Sequence, residues 1–255
     1  MGRGKAANNW GLLVNRAGGD PAPLFEAALD DLRTALERRP TMAEAWVQRA
    51  RVRLNLGGHL AGTGKDPLDL YSAAEADCGK ALDLLRPFAA ARLLRGRVRM
   101  TLADWRSRRG EDPGPDFGRA IADLGEAIRI RPGYFEGWRC RGDARMNWGI
   151  WQSHHGGDAN ALYAAALADY EEALRRRPND ADTHAHRAQV RLNWASHGMQ
   201  ARRDPAELHR TALADLDLAL ELNPKLSDAW CWRGMIHHNW GNWEGGQGRD
   251  PREHF

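Results

Sequence analysis

Residues 138–178 read WRCRGDARMNWGIWQSHHGGDANALYAAALADYEEALRRRP, and this stretch decides how the rest of the chain is interpreted. Arg141, Asp158, Asp169 and Ala173 each have a counterpart 46 residues away in both directions. The same step generates four columns of identical residues: Asp20, Asp66, Asp112, Asp158, Asp204 and Asp250; Asp31, Asp77, Asp123, Asp169 and Asp215; Ala35, Ala81, Ala127, Ala173 and Ala219; Arg49, Arg95, Arg141, Arg187 and Arg233. Because chance does not keep several columns in phase over five copies, the sequence predicts a tandem array of 46-residue repeats.

Each repeat has the pattern of two helices. Asp66-Pro67 is typical of a helix start, because aspartate accepts backbone N–H bonds there and proline is tolerated in the first turn. Apolar residues then recur every three or four positions, for example at Tyr71, Cys78 and Leu82, which indicates one buried stripe. The second helices are predicted to start near residues 21, 67, 113, 159 and 205 and to stop near a proline.

This pattern resembles the tetratricopeptide repeat (TPR) family, in which W-x2-L-G-x2-Y, A-x3-F, A and P are spread over 34 residues. The corresponding residues here are Trp138, Arg141, Gly142 and Arg145, followed by Ala166, Tyr170, Ala173 and Pro178. The resemblance implies an all-α fold, a right-handed α-solenoid of TPR-like helix-turn-helix repeats. It is expected to be a single solenoid over residues 1–255, with partial repeats at both ends. Since the repeat is twelve residues longer than 34, we predict a lengthened loop between its two helices.

Composition excludes several classes of protein. No apolar run approaches the roughly 20 residues of a membrane helix, and the first residues, MGRGKAANNWG, lack the apolar core of a secretory signal. A net charge of +3 is too balanced to indicate nucleic-acid binding by itself. The three cysteines are far apart and form no zinc or disulfide pattern. We therefore expect a cytoplasmic protein with no metal, no cofactor and no membrane partner.

The arginine column of Arg49 and the aspartate column of Asp31 carry opposite charges. Because arginine is rarely buried without a partner, we hypothesise that they form fork-like pairs, within a repeat or with its neighbour. A ladder of arginines facing a ligand is the alternative. A second column, Arg53, Arg99, Arg145 and Arg191, ends in His237 and forms either a basic stripe or a solvated, salt-bridged face.

A third column consists of asparagines and marks a candidate binding groove. In TPR proteins the first helices line the concave groove, so the resemblance places these residues there. Asparagine can donate to and accept from one peptide unit of a guest, although it can equally bond backbone carbonyls near its own helix end. The predicted groove consists of the asparagines Asn55, Asn147, Asn193 and Asn239, an apolar floor of Leu54, Met100, Met146 and Leu192, and the nearby Arg51 and Arg97.

Aromatic and histidine residues are dense in the segments between the predicted helices. Trp105, Trp151 and Trp243 lie in these added segments and are candidates for exposed contacts with a partner. His154 and His155 have no counterparts in other repeats and are predicted to be loop residues rather than metal ligands.

No catalytic constellation is visible, so we expect no enzyme activity. The predicted function is a scaffold that binds a protein or peptide in the concave groove. The alternatives are a structural unit that assembles head to tail through uncapped ends, or a repeat module that binds nucleic acid; nucleic acid is not the expected partner. The partial repeats at both ends are also consistent with a segment of a longer array.

Overall fold

The computed structural model describes residues 2–250 and 252, in which eleven α-helices and no strands are found. The chain divides into two compact units, an N-terminal unit (Met1–Tyr134) and a C-terminal unit (Phe135–Phe255). The helices of the N-terminal unit are α1 (Gly2–Arg16), α2 (Ala22–Arg38), α3 (Ala43–Gly62), α4 (Leu68–Leu84), α5 (Ala89–Arg108) and α6 (Gly114–Ile130). Those of the C-terminal unit are α7 (Phe135–His154), α8 (Asn160–Arg176), α9 (Ala181–Gln200), α10 (Ala206–Leu222) and α11 (Ser227–Gly246).

Odd-numbered helices are the first helices of the repeats, and even-numbered helices are the second. The second helices begin at residues 22, 68, 114, 160 and 206, so each starts 46 residues after the one before. The first helices from α3 onward begin at residues 43, 89, 135, 181 and 227, with the same step. That the whole chain forms a single solenoid stays a prediction.

The predicted lengthening of the loop is wrong, because the added residues extend the first helix instead. Helix α3 has 20 residues and continues to Gly62, and α4 begins at Leu68, so the connection spans only residues 63–67. The extension stays helical because it continues the apolar face: Val52, Leu56 and the half-buried Leu60 pack with the core of α2. Tertiary packing therefore overrides the low helix propensity of a glycine-rich segment.

The corners between the two helices of a repeat have a common construction. At the first complete corner, Gly64 adopts φ +77°, a left-handed conformation that favours glycine. Asp66 Oδ1 then accepts the backbone N–H of Leu68 at 2.9 Å, as the sequence predicts. The same bond is formed at each of the other corners whose second helix is described, by Asp20, Asp112, Asp158 and Asp204.

First and second helices pack closely where a glycine faces an aromatic ring. A Cβ atom added to Gly57 of α3 would lie 2.5 Å from Cε1 of Tyr71 in α4. Tyr71 is itself buried in the core formed with Ala74, Cys78 and Leu94. A side chain at Gly57 would therefore require the Tyr71 ring to shift.

Neighbouring first helices contact one another. In the N-terminal unit α3 contacts both α1 and α5, and in the C-terminal unit α9 contacts both α7 and α11. Within the described residues, neighbouring second helices make no comparable contact. Successive repeats of each unit are therefore closest along their first helices, which form one side of the stack.

Candidate functional site

The predicted arginine and aspartate columns meet in four clusters, one in each complete helix pair; we call them the Arg–Asp clusters. In the first, Arg49 donates through Nε to Asp77 Oδ2 at 2.9 Å and through Nη2 to Oδ1 at 2.6 Å. Arg53 adds a bond to Asp77 Oδ2 at 2.6 Å. The clusters centred on Asp123, Asp169 and Asp215 repeat this arrangement with Arg95 and Arg99, Arg141 and Arg145, and Arg187 and Arg191.

Each arginine lies on a first helix and each aspartate on the following second helix, so the pairs form within a repeat. The four aspartates are buried, with at most 5% of their surface exposed. Burial opposes the ionisation of Asp123, yet hydrogen bonds from Arg95 and Arg92 and the positive charge of Arg99 hold its pKa below the usual range. The geometry is therefore that of an interhelix staple rather than a ligand-facing ladder.

The ends of the two columns differ from the clusters. Arg233 of α11 pairs with the exposed Asp217 at 3.2 Å instead of with a buried aspartate. The position 28 residues before Asp31 is Arg3, whose side chain lies outside the described residues. The second column bonds to the cluster aspartates through Arg53, Arg99, Arg145 and Arg191. This column is therefore a salt-bridged face and not a basic stripe available to phosphates.

Three members of the predicted apolar floor do not face a groove. Leu54, Met146 and Leu192 are at most 7% exposed and belong to the hydrophobic cores of their units. Met100 of α5 is half-buried. The prediction is wrong for the three buried residues because they point between the helices, where burial of their apolar surface stabilises the fold.

The predicted asparagines lie on the first helices, but they are not equally available. Asn55 donates through Nδ2 to Asn8 Oδ1 at 2.9 Å and so joins α3 to α1. The Nδ2 atom of Asn193 is buried and has no hydrogen-bond partner among the described residues. Asn147 and Asn239 are half-buried. Whether these residues hold a guest chain stays a prediction.

Arg51 and Arg97 differ from the other arginine columns of the first helices. Both are exposed, they occupy the same register position on α3 and α5, and these two helices contact each other. Among the described residues, neither forms an ion pair or a side-chain hydrogen bond. Two unpaired cations therefore occupy equivalent positions on two contacting first helices of the N-terminal unit.

A polar cluster in the C-terminal unit was not predicted from the sequence. Asp143 occupies the register position of Arg97, one repeat later, and Tyr170 donates its hydroxyl to Asp143 Oδ1 at 2.7 Å. Arg139 and His186 approach the same carboxylate, each at 3.4 Å. Burial opposes ionisation of Asp143, but His186, Arg139 and the Tyr170 hydroxyl hold its pKa below the usual range. The sequence signal for this cluster is that aspartate replaces arginine in the column of Arg51 and Arg97.

The tryptophans of the added segments are not exposed contacts, contrary to the prediction. Trp105, Trp151 and Trp243 lie within helices α5, α7 and α11, are half-buried, and have buried Nε1 atoms. His154 ends α7 and His155 follows it, both exposed, and the ring of His155 stacks on Trp151 with centroids 4.2 Å apart. No group of three or more histidine, cysteine or acidic residues within residues 2–250 and 252 is arranged to hold a metal ion.

No helix in the described part of the chain combines the length and apolar character needed to cross a membrane. No protein-family model and no curated protein matches the sequence.

Solved structures, in contrast, match along most of the chain. TTC0263, a thermophilic TPR protein of Thermus thermophilus, aligns with a TM-score of 0.56 and 18% identity over 91% of this chain and 98% of its own. MamA from Desulfovibrio magneticus RS-1 aligns with a TM-score of 0.53 and 16% identity over 89% and 98%. The S. pombe nuclear import adaptor Nro1 aligns with a TM-score of 0.61 and 10% identity over 96% and 93%. At these identities the likeness concerns the fold alone, and we conclude that the chain has the fold of tetratricopeptide repeat proteins.

Proposed function

We propose that the chain is a non-catalytic scaffold that binds a partner protein or peptide along the concave side of its first helices. The TPR fold supports this, because stacked helix pairs provide an extended binding surface. The S. pombe structure with the same fold is described as a nuclear import adaptor, which is likewise a binding function.

One observation carries the proposal: Arg51 and Arg97 are exposed and unpaired, whereas the neighbouring arginine columns are committed to aspartates. A cation with no partner in the folded chain keeps its full capacity to bind an external carboxylate. Because the two arginines lie on first helices that contact each other, a single acidic segment can reach both. The preferred partner is therefore an acidic peptide segment bound across α3 and α5.

The test is a selection of random peptides displayed against the folded chain. The proposal predicts that selected sequences are enriched in Asp and Glu. A photoreactive amino acid in place of Thr101, one turn after Arg97 on α5, should crosslink to such a peptide. One in place of Arg38 should not, because Arg38 is exposed at the end of second helix α2. Selected peptides that crosslink equally at both positions would contradict the proposal.

Self-association is a second candidate, supported by apolar side chains exposed on the first and last helices. Trp10 and Leu13 of α1 are 66% and 64% exposed, and Trp230 and Met235 of α11 are each 48% exposed. Such surfaces are typical of contacts between copies. Sedimentation equilibrium distinguishes the two functions. Self-association predicts that the measured mass rises with protein concentration and that Trp230→Gln returns it to the mass of the monomer.

A further inference from the structure

The fourth residue of helices α3, α5, α7, α9 and α11 carries an aromatic or imidazole ring, except in α5, where it is arginine. The column consists of Trp46, Arg92, Trp138, His184 and Trp230. Trp46 and Trp230 donate through Nε1 to the carbonyls of Pro40 and Pro224, at 2.7 and 3.0 Å. His184 Nε2 lies 2.8 Å from the carbonyl oxygen of Pro178. A ring in this position thus covers the turn between one repeat and the next.

Arg92 does not replace the ring. Its guanidinium is directed to the Arg–Asp cluster, where Nη1 donates to Asp123 Oδ1 at 2.8 Å. A pocket of about 310 Å³ is found at this place in the N-terminal unit. We call it the Arg92 pocket; besides Arg92 and Pro87 its walls are the apolar Leu82, Phe88 and Ile130 and the charged Arg86, Glu126 and Arg129.

The walls of the pocket combine aromatic-binding and anion-binding groups. Phe88 is half-buried, as is Ile130, so both offer apolar surface to a planar ring. Arg129 is held by Glu126 through bonds of 2.8 and 2.7 Å, and Arg92 is held by Asp123 at 2.8 Å. Arg86 pairs with the exposed Asp83 at 3.3 Å, and an exposed pair of this kind is weak. Arg86 is therefore the cation of the lining that can turn to an external anion, and arginine planes also stack on aromatic rings.

We propose that the Arg92 pocket binds an aromatic ring that carries or adjoins a carboxylate. The ring takes the place that an indole occupies in the neighbouring repeat, and the carboxylate meets Arg86. The ring can come from a tryptophan or phenylalanine beside an acidic residue in a partner protein, or from a free aromatic acid. None of the predicted groove residues lines the pocket, so this proposal does not depend on the proposed function.

Protein-observed NMR with indole-3-acetate tests the proposal directly. We expect shifts of the amide signals of Phe88 and Ile130 and a Kd of about 1 mM, the affinity expected for a ligand of this size. The neutral analogue indole-3-ethanol should bind several-fold more weakly. No shifts at these residues, or equal binding of the acid and the alcohol, would overturn the proposal.

Two variants locate the site. Arg92→Trp should fill the pocket and abolish binding, and it is expected to fold because tryptophan occupies the equivalent position as Trp46. Ile130→Trp fills the same pocket from α6 and should have the same effect. The matched control is Arg108→Trp, which adds an indole at the exposed end of the same helix outside the pocket and should leave binding unchanged. Unchanged binding in both filling variants would refute the assignment.

The two sources of the ligand are distinguished by a blocked Trp-Asp dipeptide. If the pocket receives a partner's side chain, the dipeptide should bind more tightly than indole-3-acetate, because its backbone adds contacts. If it receives a free acid, the order is reversed. Binding of neither compound contradicts the proposal for both sources.

Discussion

Replacing Asp123 by alanine removes the carboxylate that Arg92, Arg95 and Arg99 share in the N-terminal unit. Asp123 is 2% exposed, and it accepts four hydrogen bonds from these three arginines at 2.7–2.8 Å. Loss of one partner of a buried ion pair costs about 3–5 kcal/mol, because the remaining charge is left uncompensated. The arginine side chains keep 15–29% of their surface exposed, and Arg99 retains Glu75 at 2.7 Å. Water and Glu75 therefore reduce the cost, and we expect about 3 kcal/mol.

The assay is urea unfolding followed by circular dichroism at neutral pH, comparing the midpoint and slope of Asp123→Ala with those of the wild type. The matched control is Asp30→Ala, which removes an exposed carboxylate, 74% accessible, that pairs with Arg33. An exposed pair contributes at most about 1 kcal/mol, so the control should unfold close to the wild type. If Asp123→Ala is no less stable than the control, the clusters do not staple the helices and the reasoning is refuted.

The remaining predictions concern pH, packing and thiol chemistry. Since the folded pKa of Asp123 is lowered, its contribution to stability is present above the unfolded pKa of about 4 and is lost as the pH falls through the folded pKa. The stability gap between wild type and Asp123→Asn, measured by urea unfolding, should therefore shrink in acid; a constant gap contradicts the linkage. Gly57→Ala should cost about 1–3 kcal/mol because its Cβ meets an aromatic ring. The adjacent Gly58 has open space, so Gly58→Ala should gain up to about 1 kcal/mol, and equal melting temperatures of the two variants would refute the packing argument. Exposed Cys231 should react first with iodoacetamide, as read by mass spectrometry, whereas burial raises the pKa of Cys78 to about 12; early labelling of Cys78 would contradict its position in the core.

The fixed period predicted the tandem array, and the recurrence of apolar residues every three or four positions predicted its helices. The opposite charges of the Arg49 and Asp77 columns anticipated the interhelix contact, since neither group is stable alone in a core. The loop prediction was wrong because it assigned the twelve added residues to the connection, whereas α3 continues its apolar face as far as Leu60. The packing of Tyr71 on Gly57 shows why a glycine belongs inside this helix.

The candidate site was less predictable because it depends on the direction of individual side chains. One residue along a helix changes that direction by about 100°, so Leu54 enters the core while its neighbour Asn55 bridges two first helices. Residues that differ from the rest of their column were the remaining sequence signals for the site. Arg92 in a tryptophan column marks a pocket, and Asp143 in an arginine column marks a polar cluster.

Arg51 and Arg97 are proposed to bind an acidic partner segment. The decisive measurement is the Kd of a selected acidic peptide, determined by calorimetry for the wild type and for Arg51→Gln/Arg97→Gln. Two exposed charge-assisted contacts of about 1 kcal/mol each predict a loss of about 30-fold in affinity. The control Arg38→Gln/Arg39→Gln removes the same charge from exposed positions at the end of α2 and should change the Kd little. Equal affinities of the two variants would contradict this role of Arg51 and Arg97.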